Sequence, residues 1–165
     1  MLQHPEAATE RAAWTTGLVY GTLSVLIVIA GLNVAGGASP EGAGATILVG
    51  AVATWFAHAY ASVLGHRAAI RHHSAGEIGP ALRHASSIVL AAVPAVIALG
   101  GASLGWWASG AALGFSNAAG VAVLAGAGWI VARAAGESLA GRLTSTIVTA
   151  SIGVGIVAVE LLAHR

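Results

Sequence analysis

The chain has 165 residues, 57% of them hydrophobic and 8% charged, with a net charge of +1. Soluble domains carry about 25% charged residues, so there is too little polar surface here to cover a water-soluble fold. The absence of cysteine excludes disulfides and thiol or thiolate chemistry, and the near-neutral balance, with no nucleic-acid-binding motif, argues against nucleic acid as a partner.

No charged residue occurs in the runs 12–40, 42–65, 85–132 and 143–159. A bilayer core needs roughly 20 apolar residues at about 1.5 Å each, so these runs predict membrane-spanning helices with the lipid bilayer as their partner. The sequence therefore reads as all-α: a polytopic integral membrane helical bundle with five transmembrane helices and one transmembrane domain over residues 1–165. Little chain remains for a separate soluble domain.

The lead-in Met1–Arg11 sets Glu6 and Glu10 against Arg11. It lacks the positive n-region of a cleaved signal, so the first helix, near 14–33, is expected to stay. The second helix, near 44–65, is the most polar of the five. Thr54, His58 and Ser62 stand four apart on one face, and His58 lies roughly 10 Å inside the membrane by helical rise. Intramembrane ionisable groups usually face a bundle interior, so two readings stand: a proton or cation relay, or a neutral histidine bonded to a neighbouring helix. Tyr60 and Trp14 belong to an interfacial aromatic belt.

The following connection holds His66, Arg67, Arg71, His72, His73, Glu77, Arg83 and His84. His73 and Glu77 have the spacing of a metal pair on a helix, but Gly76 and the arginines oppose a bound dication. The segment reads instead as a basic interfacial stretch that enforces topology and touches anionic headgroups, and no metal is assigned.

The uncharged run from Ala85 to Ala132 is long enough to cross twice. The glycines between Gly100 and Gly114, with Trp106 and Trp107, place a turn between a third helix near 80–104 and a fourth near 115–134. Pro94 falls inside the third helix and is expected to kink it. The fifth helix lies near 143–163. Arg11, Arg67, Arg71, Arg83, Arg133 and Arg142 then share one side and only Arg165 the other. The positive-inside bias puts the N-terminus in the cytoplasm and the C-terminus outside.

Small residues four apart, Gly17 with Gly21, Gly101 with Gly105, and Ala122 with Gly126, are expected to mark close helix crossings. Trp55–Arg67 laid on Ile130–Arg142 gives a faint internal echo, as a two-helix repeat would.

The segment Trp55-Phe-Ala-His58-Ala-Tyr60-Ala-Ser-Val-Leu64, with the ending Val159-Glu-Leu-Leu-Ala-His164, resembles small multi-pass bacterial membrane proteins of unassigned function. The resemblance implies a plasma-membrane location and carries no functional residues with it.

Gly101-Ala-Ser103-Leu-Gly105 reads as G-x-S-x-G, and Glu160 with His164 would supply an acid and a base. A nucleophile elbow needs a strand-to-helix turn that a helix end does not offer, so catalysis is not assigned and Glu160 with His164 reads as an interfacial ion pair. A haem held by His58 would need the same histidine from a second copy, and no cofactor is assigned. The expected role is a packing, interaction or accessory membrane component, self-associating or bound to another membrane protein. The alternative is a small transporter or proton/cation channel using Thr54, His58 and Ser62, with Glu160 near the outer end.

Overall fold

The computed structural model describes residues 5–34, 38–69 and 78–163. They form five helices: α1 (Pro5–Val34), α2 (Pro40–Ala69), α3 (Ile78–Ser103), α4 (Ser109–Ala134) and α5 (Leu139–Ala163). No strand occurs among the described residues. Each helix contains a segment long and apolar enough to cross a membrane: Ala12–Asn33, Pro40–Gly65, Ala85–Ser103, Ser109–Ala134 and Leu139–Ala163.

Helix number and order match the sequence expectation, but all five helices start earlier than expected, three of them for identifiable local reasons. The Ser39 hydroxyl accepts the Gly42 N–H at 3.2 Å, Pro40 takes the first helical position and Glu41 the first turn, so α2 begins four residues before Gly44. The Ser138 hydroxyl likewise accepts the Gly141 N–H at 3.3 Å and starts α5 at Leu139. Glycines in the expected turn are absorbed into α4, which begins at Ser109 rather than Phe115.

Two tight turns end their helices in the same way. Gly105 and Gly136 adopt φ of +78° and +74°. At the end of α4 the Gly136 N–H donates to the Arg133 carbonyl and the Glu137 N–H to the Ala132 carbonyl. Gly105 and Trp106 repeat this pattern on Ala102 and Gly101. Both are Schellman closures, which need a residue free of Cβ strain at positive φ.

α3 forms the centre, packing against α1, α2 and α4, while α5 rests on α4 and α1. Ala92, Ala95 and Leu99 of α3 meet Val25 and Ile29 of α1 and Ile47 and Ala51 of α2 in one buried cluster, and Ile88 and Ala85 of α3 meet Ala59 of α2 in a second. The Trp55 indole N–H donates to the Leu82 carbonyl at 3.1 Å, tying α2 to α3. Large apolar side chains such as Val49, Ile97, Ile130, Ile147 and Leu162 point outward. Outward apolar faces are what a bilayer solvates.

Close crossings fall on other glycines than most of those expected. Gly21 of α1 sits so near Ile88 that a Cβ there would lie 2.7 Å from its Cα and carbonyl oxygen. Gly128 meets Ser145 and Thr149 of α5, and Gly153 meets Leu124 of α4. By contrast Gly126 has nothing within 4 Å and Ala122 is exposed, so that pair does not pack. Gly101 is covered by the side chain of Trp107 rather than by a second helix, and Gly105 serves the turn. The internal echo has no structural counterpart: Trp55–Arg67 lies within α2, whereas Ile130–Arg142 spans the α4–α5 turn.

Backbone contact at Gly21 predicts that Gly21→Ala destabilises the bundle by about 1–3 kcal/mol, the usual cost of overpacking. Gly126→Ala should leave stability unchanged. Unfolding in a denaturing detergent reads both, and equal effects would refute this crossing.

Candidate functional site

Two groups of polar side chains in the membrane-length helices lie at different depths. On α2, Thr54 and His58 are half-buried and Ser62 is exposed. The interior stripe of that helix is Ala43, Ile47, Ala51 and Ala59, so the polar stripe runs along its border instead of its buried face. The His58 ring lies against Tyr20 of α1, with centroids 5.9 Å apart and planes 32° apart.

The second group centres on Glu160, the one charged side chain among the buried described residues, at 5% exposure. Its Oε1 accepts a hydrogen bond from the Asn33 side-chain amide at the end of α1. Its Oε2 accepts one from the Asn117 amide of α4 at 3.3 Å. Three helices thus converge on one carboxylate. The sequence places Glu160 near an interface; the helix packing buries it, because Asn33 and Asn117 reach its level from either side.

Registers along the helices explain the convergence. Leu26 of α1 packs on Gly120 and Gly153, where Cβ atoms would lie 2.8 Å and 3.5 Å from its methyl groups. Asn33 and Glu160 lie seven residues, about two turns, beyond Leu26 and Gly153, and Asn117 lies three residues, about one turn, from Gly120 toward the same end of the bundle, α4 running antiparallel to the other two. In the sequence Asn33 stands only at a helix end, and no motif marks Asn117. The available signal was a side-chain amide inside an otherwise apolar run, which is costly in lipid without a partner.

Thirteen residues of α1 separate Tyr20 from Asn33. That is roughly 20 Å at helical rise. His58, in contact with Tyr20, therefore sits too far from Glu160 for direct proton exchange.

A cleft of about 760 Å3 opens between α1, α4 and α5, with Asn33, Asn117 and Glu160 in its wall. The rest is apolar or small: Leu113, Ala118, Val121 and Ala125 from α4, and Val154 and Val157 from α5. Ligand cavities run roughly 300–1,000 Å3, mostly apolar with a few convergent polar groups, and this cleft has that make-up. A smaller apolar notch of about 370 Å3 lies between Ile97, Trp107 and Phe115.

The residues of the weak hydrolase pattern are not brought together among the described residues. Ser103 donates its hydroxyl to the Gly100 carbonyl at 2.7 Å, and Glu160 is engaged by the two asparagines. His164 lies outside the described residues, as do Arg71, His72, His73 and Glu77 and the side chains of His66, Arg67 and His84. Compared with known proteins, the chain matches no family model, no curated protein and no solved structure.

The shared carboxylate predicts coupled energetics. Asn33→Ala and Asn117→Ala should each lower stability by about 1–2 kcal/mol, since each leaves a buried oxygen with one donor fewer. In a Glu160→Leu background each loss should shrink below about 0.5 kcal/mol, as a double-mutant cycle in detergent unfolding would read. Additive losses would mean that the amides act elsewhere.

Proposed function

We propose that the protein is a non-catalytic integral membrane protein that acts by binding within the bilayer, holding an alkyl-chain membrane constituent in the cleft between α1, α4 and α5. The observation that carries this reading is the cleft itself, about 760 Å3 of mostly apolar wall with a buried polar cluster at one level. The helices are oriented with the N-terminus in the cytoplasm and the C-terminus outside, in a bacterial plasma membrane. Support for the orientation is the arginine bias of the connections, and a reporter enzyme active only outside the cytoplasm, fused after Arg165, tests it.

A photoactivatable alkyl alcohol in proteoliposomes tests the binding reading. Labelling should concentrate on the peptides 110–125 and 154–161, and Ala122→Phe, which fills the cleft without touching Glu160, should cut it at least fivefold. Labelling spread evenly over all five helices would overturn the reading. Photo-crosslinking of these peptides to a second copy or to another protein would make the component a docking subunit instead.

A second reading, proton or cation conduction past Thr54, His58 and Ser62, is favoured by the contact between His58 and Tyr20, which sets a titratable ring against a hydroxyl-bearing neighbour within the membrane. On that reading, proton flux in the same liposomes vanishes in His58→Ala. Flux indistinguishable from empty liposomes, with folded wild-type protein, would sink it.

A further inference from the structure

We infer that the α1/α4/α5 cleft is selective for an amphiphile bearing a primary ammonium group, with Glu160 as its counter-ion; this rests on the proposed binding role and names its ligand class. The hydrogen bonds that Glu160 receives from Asn33 and Asn117 come from neutral amides, which spread its charge without cancelling it. A carboxylate buried among apolar helices carries a desolvation cost, and a mobile cation that arrives through the membrane relieves it.

Acceptor capacity points the same way. Each carboxylate oxygen offers two lone-pair positions and takes one amide donor. Asn117 Oδ1 is buried and has no hydrogen-bond partner, although Asn117 lines the cleft beside Glu160. Both oxygens of Glu160 and the Asn117 carbonyl thus keep acceptor capacity for a further donor, and three N–H donors on one positive centre describe a primary ammonium. An alcohol supplies a single donor and no charge.

The shape of the cleft supplies the rest of the ligand. Along α4 it runs from Gly110 to Ala125, and Asn117 sits near the middle. On one side Gly110 and Gly114 leave the wall without bulk, toward the end of the bundle where α4 begins. On the other, Ala118, Val121, Ala125 and Val154 give roughly 12 Å of apolar wall, which suits an alkyl chain. A partner helix carrying a basic residue would satisfy the charge too. A small amphiphile is favoured because Glu160 is buried by its own bundle at 5% exposure, which an ammonium group reaches more readily than a helix backbone does.

The test compares two photoactivatable probes of equal chain length, a decylammonium and a decanol, in proteoliposomes of wild type, Glu160→Gln, Asn117→Ala and Ala122→Phe, each checked for helicity. The ammonium probe should label the cleft peptides at least tenfold more strongly than the alcohol in wild type. It should fall to the alcohol's level in Glu160→Gln and severalfold in Asn117→Ala. Equal labelling of the cleft by both probes, unchanged in Glu160→Gln, would overturn cation selectivity and leave the binding role standing. If neither probe favours the cleft over other helix faces, or if Ala122→Phe changes nothing, both fail. Should Glu160→Gln not fold, Asn117→Ala with its carboxylate intact carries the comparison, and an unchanged probe ratio there overturns the proposal.

Discussion

The attachment of α5 to the bundle is the constraint on which the candidate site depends. Of its 25 residues only Gly153 and Glu160 are buried. In lipid there is no hydrophobic drive between helices, so α5 is held by close packing at small residues and by a few hydrogen bonds. Gly153 admits Leu124 of α4 and Leu26 of α1, and Gly128 admits the backbone at Ser145. The Ser145 hydroxyl donates to the Gly128 carbonyl at 3.2 Å, and the carboxylate of Glu160 gathers α1 and α4 near the far end. Packing at one level and hydrogen bonding at another leave the space between α4 and α5 open beside them, which is how a cleft survives in a bundle of small residues.

Hydroxyl groups inside the bundle follow a different rule from Glu160. Thr22 and Ser116 are buried, and each returns its proton to a carbonyl one turn back in its own helix, at 2.8 Å. Such back-bonding satisfies a hydroxyl without any partner helix, so these residues carry no information about neighbours. A carboxylate has no proton to return when ionised and must find donors elsewhere. That difference is why one buried glutamate organises three helices while Thr22 and Ser116 bond only within their own.

Five passes, their order and the turn inside the long uncharged run were legible in the sequence, because the lengths of uncharged segments against a fixed bilayer thickness determine them. Ser39 and Ser138 set helix starts through hydrogen bonds that hydropathy does not see. Helix faces were harder to read. The second helix carries apolar residues all round, and a stripe of Thr54, His58 and Ser62 is displaced by only one position from the buried row of Ala43, Ile47, Ala51 and Ala59. Which of two adjacent stripes faces inward is decided by what α3 and α1 offer, and no periodicity within α2 contains that. The glycine pairs failed similarly: Gly21 and Gly126 look alike in sequence, and only the neighbour separates a crossing from an open surface.

Depth separates the two polar groups into different kinds of chemistry. His58 stands on the border of α2 with its ring against that of Tyr20. Glu160 lies roughly 20 Å along the bundle axis and is enclosed on three sides, where its charge has to be answered by a donor, a proton or a ligand. Two amides answer it in part. The remaining acceptor capacity opens onto an apolar cleft that no other helix of the described chain fills, so the natural complement is a molecule that already lives in the bilayer and brings a positive donor with it. Beyond Asn117, as far as Ala125, the α4 side chains that line the cleft are alanine and valine, which complement an alkyl chain.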